Sequence, residues 1–202
     1  MSYISPVLSL DISGPEHTRA LALALAPALH AGDLLLLSGE LGAGKTTFTR
    51  SLGEGLGVRE GVISPTFVLS RVHPNLPDGP RPGGPDLVHV DAYRLSSAEE
   101  LDDLDLEFSM DSSVTVIEWG HNKAEHLSDS RLELDFTRLS GEDADSLYAG
   151  GEEFSWDDDE EEEGDSELTD VPEPRLLRIQ AFGPRWQQSF EQLAHTLGAV
   201  QG

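Results

Sequence analysis

The sequence predicts a three-layer α/β fold with a mostly parallel central sheet and a C-terminal antiparallel hairpin, built as one domain of 202 residues. Three observations predict it. Short apolar runs that read as buried strands, residues 33–38 and 114–119 among them, alternate with helical segments. A glycine-rich loop joins the first of these runs directly to a helix. Residues 131–137 (RLELDFT) and 175–182 (RLLRIQAF) read as two strands of a hairpin whose connection has grown.

Taken in order, Ser13-x-x-Glu16 has the form of a capping box with Pro15 in the first turn. It opens a helix running to about His30, in which Pro27 forces a kink or an early end. Residues 33–38 (DLLLLS) are a buried strand, and residues 45–56 are helical with Gly57 near the end. Residues 62–72 and 87–95 read as strands, and Ser96 or Ser97 caps a short acidic helix. Residues 114–119 form another apolar strand, and residues 184–197 a closing amphipathic helix.

Two segments interrupt this alternation. Residues 73–86 hold five prolines and three glycines and read as a surface loop, expected to be mobile and dispensable for folding. Residues 140–173 hold 16 acidic and no basic side chains, with seven carboxylates in a row at positions 157–163. Such a block repels itself and buries too little apolar surface to offset the entropy of ordering, so a disordered insert is expected there. Its aromatic residues Tyr148, Phe154 and Trp156 read as incidental to a solvated insertion.

The net charge of -25 argues against a chain that grips nucleic acid or an anionic membrane by itself. The absence of cysteine excludes a disulfide scaffold, thiolate catalysis and Cys-ligated zinc. The first 13 residues lack a signal-peptide pattern, and the longest apolar run, residues 21–31, is too short to span a bilayer and contains Pro27. A soluble cytoplasmic protein is expected. The seven histidines show no metal-ligand spacing, and His89 reads as a hydrogen-bonded core residue.

Chemistry enters with Gly39-Glu40-Leu41-Gly42-Ala43-Gly44-Lys45-Thr46, a complete G-x-x-x-x-G-K-[ST] followed by Thr47. The glycines let the backbone curl around an anion, and the amides and helix N-terminus point at phosphate. Lys45 is placed to bridge β and γ oxygens, and Thr46 to offer a hydroxyl to Mg²⁺. The fold expected is therefore that of a P-loop NTPase, with ATP and Mg²⁺ as ligands and residues 39–47 as the nucleotide-binding loop. Such a loop requires a carboxylate at the end of a neighbouring strand. Both Asp91, ending LVHVD, and Glu118, ending VTVIE, qualify, and spacing alone does not rank them; either could instead cap the turn that follows it. Ser64 and Thr66, in Ser-Pro-Thr-Phe, stand where a switch segment would sense a γ-phosphate. Asn122-Lys123-Ala124-Glu125 nearly matches a guanine reader, but its acid is wrong and no D-x-x-G precedes it.

In combination and in this order, LLSGELGAGKTTFTR (36–50), SPTFVL (64–69), HVDAYRL (89–95) and VIEW (116–119) resemble the TsaE family, also called YjeE-type ATPases. The resemblance covers residues 9–137 and 175–200. It implies an accessory ATPase of the bacterial machinery that installs N6-threonylcarbamoyl on adenosine 37 of tRNAs reading codons that begin with A. It also implies the partners TsaD, which performs the transfer, and TsaB, its non-catalytic paralogue, with tRNA met only through that assembly. A further enzyme, TsaC, would supply threonylcarbamoyl-adenylate. Carried over by motif, Lys45 and the surrounding amides hold the phosphates and Thr46 holds Mg²⁺. Glu118 takes a metal or water-positioning role, Trp119 a place near the nucleotide and Asp91 a supporting place in the catalytic site. The chain departs from the family pattern at Glu40, where Asp is common, and in its two insertions. A small-molecule kinase would need a basic lid, and no Arg-rich segment supplies one. A nucleotide-gated binding module, in which occupancy orders residues 64–66 for a partner, is the non-enzymatic alternative.

Overall fold

The structure is a computed structural model that describes residues 6–59, 61–63, 65, 68–139 and 174–201. The expected acidic insert at 140–173 and the switch residues Ser64 and Thr66 lie outside the described residues.

Seven strands form one sheet in the order β1-β7-β6-β2-β5-β4-β3. They are β1 (Val7–Ile12), β2 (Leu34–Gly39), β3 (Ser70–His73), β4 (Asp86–Asp91), β5 (Ser113–Glu118), β6 (Arg131–Arg138) and β7 (Arg175–Phe182). The central block β6-β2-β5-β4 is parallel, and β2 lies between β6 and β5. The hairpin of β6 and β7 is antiparallel, with Arg131 opposite Phe182 and Arg138 opposite Arg175. Two further antiparallel strands extend the sheet: β1, which the sequence reading leaves unassigned, adds to β7, and β3 adds to β4 at the opposite edge.

Alternation along β2 sorts the core into two halves, because successive strand side chains point to opposite faces. Leu35 and Leu37 join α1 (Pro15–Leu25), α2 (Lys45–Leu56) and α6 (Phe190–Gly198) on one face. Leu34 and Leu36 pack on the other, under α3 (Ala98–Asp102) and α4 (Glu107–Met110). Short α5 (Pro184–Gln187) precedes α6. No helix among the described residues is long and apolar enough to cross a membrane.

Several local expectations are refined. Helix α1 stops at Leu25 and tightens into a 3₁₀ turn over Ala26–Ala28, as Pro27 requires. Its N-cap is Gly14, one residue later than the capping box demands, because Pro15 takes the first helical position. His17, not Glu16, therefore stands at the box's third position, and His17 Nδ1 lies 3.4 Å from the Ser13 amide. Ser97 is the cap of α3, accepting from the Glu100 amide. Helix α2 ends at Leu56 with Gly57 at φ 72°, a left-handed cap that favours glycine.

Over residues 62–72 only Ser70–His73 is a strand. Pro65 cannot donate to a ladder, and Leu69 turns the chain at φ 63°. The closing helix divides into α5 and α6 at Gln188 and Ser189, where Ser189 Oγ bonds back to Arg185 O.

The Pro/Gly-rich loop, expected to be mobile, is tied by hydrogen bonds to the helices beside it. Asn75 donates its side-chain amide to Leu56 O and Arg81 O, and its backbone N–H to Asp86 Oδ1. Arg81 reaches across to Ala26 O and Leu29 O at 2.9 and 2.8 Å, adding donors to the carbonyls just past the end of α1. Arg81→Ala is expected to cost about 1–2 kcal/mol, read as a lower urea midpoint with unchanged slope.

Candidate functional site

The glycine-rich loop runs from the end of β2 to the first turn of α2 and curls because Gly39, Gly42 and Gly44 take φ of 130°, 79° and 108°. Gly39 is also packed against its neighbour strand: a Cβ there would collide with Phe136 O. Gly39→Ala should therefore combine a left-handed strain with a backbone clash and lose roughly 2–4 kcal/mol, visible as a large drop in melting temperature. Ala43 is buried beneath the loop, while Glu40 and Leu41 are exposed on its outer side.

Lys45 opens α2 and is only 4% exposed. Its ammonium donates to Gly39 O at 2.7 Å and Glu40 O at 2.8 Å, and lies 3.9 Å from the centroid of the Trp119 ring. Burial pulls its pKa below the usual lysine value, while the charges of Glu118 and Asp91 act in the opposite direction.

Glu118 ends β5 and Asp91 ends β4, and the parallel register sets them side by side. Both are buried. The structure separates what spacing leaves open. Glu118 Oε2 accepts from Thr46 Oγ1 at 3.0 Å, and Glu118 Oε1 lies 2.8 Å from His89 Nε2. Asp91 Oδ1 instead accepts from the Tyr93 amide, capping the 3₁₀ turn Ala92–Arg94, while the residue still lines the same cleft. Trp119 leaves β5 at φ 63°, held by its N–H on Leu37 O, and its ring packs 5.3 Å from that of Tyr93.

One cleft of about 410 Å³ gathers Leu41, Gly42, Gly44, Lys45, Thr46, Thr47, Asp91, Glu118 and Trp119, joined by Pro15 and Arg175. The sequence reading thus has its loop and both carboxylates in one place. His89 is the hydrogen-bonded core residue expected, fully buried with Nε2 on Glu118 and with Nδ1 unpartnered among the described residues; what the sequence does not anticipate is that its partner is the strand-end carboxylate. The available signal is strand alternation, since His89 and Asp91 share a face of β4. The sequence reading also misses Arg175, brought in from a strand distant in sequence. The near-match at Asn122 is a turn: Glu125 accepts from the Asn122 amide, and Lys123 Nζ donates to Ala92 O.

The chain can be compared with known proteins at this point. A family model described as "Threonylcarbamoyl adenosine biosynthesis protein TsaE" matches residues 12–145. The tRNA threonylcarbamoyladenosine biosynthesis protein TsaE of Streptomyces coelicolor is 58% identical over 130 residues, covering 64% of this chain and 84% of that protein. The protein of the same name from Bacillus subtilis is 41% identical over 135 residues, with 66% and 80% covered. A crystal structure of Bacillus subtilis YdiB matches with a TM-score of 0.64 at 26% identity, covering 96% of this chain and 98% of that one. With two thirds of its length inside the family model and relatives this similar, the chain belongs to the TsaE family.

Proposed function

We propose that this chain is a Mg²⁺-dependent P-loop ATPase, weak alone, that serves tRNA threonylcarbamoyladenosine formation as an accessory to a TsaD and TsaB assembly in the cytoplasm. The observation that carries the reading is the convergence in one cleft of Lys45 and Thr46 from α2 with Glu118 from the adjoining strand. The loop amides and Lys45 bind the β- and γ-phosphates, and Glu118 orients the attacking water or the metal shell. Asp91 supports the same edge, and Trp119 packs beside the phosphates.

The donor set suits Mg²⁺. Thr46 Oγ1 and Glu118 Oε2 are hard oxygen ligands already in contact, and Mg²⁺ is held by one or two such groups plus phosphate rather than by a protein cage. When bound, the ion would neutralise charge on the β and γ oxygens.

The relatives are named for tRNA threonylcarbamoyladenosine biosynthesis, which supports the pathway. The net charge of -25 supports meeting tRNA through partners rather than directly. Leu41, 83% exposed at the cleft, and Tyr93, 62% exposed with its ring against Trp119, each offer apolar surface to a partner. The reading is tested by reconstituting threonylcarbamoylation of tRNA from purified TsaB, TsaC and TsaD with ATP and adding this chain. Multiple-turnover modification should depend on it; modification at an equal rate without it would refute the proposal.

A further inference from the structure

Both carboxylate oxygens of Glu118 are held, and by elements of different kinds. Oε2 accepts from Thr46 Oγ1 at the start of α2, and Oε1 lies 2.8 Å from Nε2 of His89 on β4. His89 is fully buried and sits behind Glu118 rather than among the residues lining the cleft. Its backbone is anchored on both sides, with Val116 of β5 and Arg71 of β3 opposite it, so the ring has a fixed base. Leu87, two residues earlier on the same face of β4, is also fully buried, which shows that this face accepts leucine. A polar ring at position 89 costs desolvation that leucine would not, and its one hydrogen-bond partner among the described residues is Glu118.

A bare ring nitrogen facing a carboxylate oxygen would be repelled, and Nδ1 has no acceptor among the described residues, so a ring proton belongs on Nε2. We propose that His89 is a positioning residue for ATP hydrolysis, whose Nε2–H fixes the Glu118 carboxylate so that Oε2 faces the metal shell and the attacking water; this rests on the ATPase reading above and adds a residue to it. The need for such a restraint follows from the side chain itself. The terminal torsion of a glutamate is broad, and the carboxylate is not aimed by its strand alone. With Thr46 Oγ1 drawn to a metal ion, the His89 contact is the one that still orients Glu118. Orientation matters because a misplacement of about 1 Å at the reacting groups can cost about 100-fold in rate.

The test uses two amides of different reach. Asn places its amide nitrogen near the position of Nδ1 and Gln near that of Nε2, so both keep a polar side chain but only Gln brings a donor to Glu118. Single-turnover phosphate release, calorimetric titration of Mg·ATP and melting temperature are compared for the parent, His89→Asn, His89→Gln, Glu118→Gln and the double variant of His89→Asn with Glu118→Gln. His89→Asn should release phosphate roughly ten- to hundred-fold more slowly, with ATP affinity within about five-fold of the parent. His89→Gln should recover most of the rate. In the Glu118→Gln background, His89→Asn should slow release by less than about three-fold more, because a residue that acts through Glu118 has little left to act on. A parental rate in His89→Asn, equal losses in the Asn and Gln variants, or a full further loss in the double variant would each overturn the proposal. Another measurement needs neither a variant nor nucleotide. In the parent chain with isotope-labelled histidine, long-range proton–nitrogen correlations should show a proton on Nε2 of His89, and a bare Nε2 would also overturn it. A parent that releases no phosphate would instead refute the ATPase reading itself.

Discussion

Lys45→Ala is expected to weaken ATP binding by about 100-fold or more and to remove measurable hydrolysis, while the chain still melts cooperatively. The reason is positional. Two of the three ammonium protons are engaged by Gly39 O and Glu40 O, and the Trp119 ring lies against the group, so the charge is held at the phosphate side of the loop. Burial works against that charge, and Glu118 with Asp91 sustains it. Calorimetry with ATP and a phosphate-release assay check this, and ATP affinity equal to that of the parent would remove the loop from the nucleotide site.

Glu118→Gln should separate binding from chemistry. The amide keeps the volume and one acceptor oxygen towards Thr46 or His89, but loses the charge proposed to act on the metal shell and attacking water. ATP affinity should stay within about five-fold, and single-turnover hydrolysis should fall by roughly 100-fold or more. Asp91→Asn should act more weakly, since one of its oxygens is committed to the Tyr93 amide. Rapid-quench measurements on both variants rank the two carboxylates, and the larger loss in Asp91→Asn would reverse their assignment.

These expectations show which parts of the molecule are readable from local sequence. Helix α2 is readable throughout, because a glycine loop starts it and Gly57 stops it. The hairpin of β6 and β7 is readable because alternation survives on both sides of its long connection. Strand β1 is left unassigned, although Leu8, Leu10 and Ile12 alternate, because it ends at the residue before the helix signal at Ser13 and its partner strand lies far along the chain. The run at 62–72 misleads in the other direction: its apolar residues mimic a strand, but Pro65 and the left-handed Leu69 break it.

At the site, the loop and the two strand-end carboxylates are legible because each is fixed by its own strand or helix terminus. What distinguishes Glu118 from Asp91 in geometry is a side-chain contact to Thr46, 72 positions away, which no spacing encodes. The neighbours of His89 and Arg175 are hidden for a related reason. The first touches Glu118 only through the register of two parallel strands, and the second meets the loop only because β7 lies two strands from β2.

The central claim is that this cleft hydrolyses ATP on behalf of a larger assembly. Single-turnover phosphate release from Mg·ATP, measured for the chain alone, with TsaD and TsaB added, and again with Lys45→Ala in place of the parent, tests it most directly. A slow release by the chain alone, accelerated by the partners and absent in Lys45→Ala, is the predicted result. Phosphate release that needs the partners but is indifferent to Lys45→Ala would contradict it, because the chemistry would then lie elsewhere in the assembly.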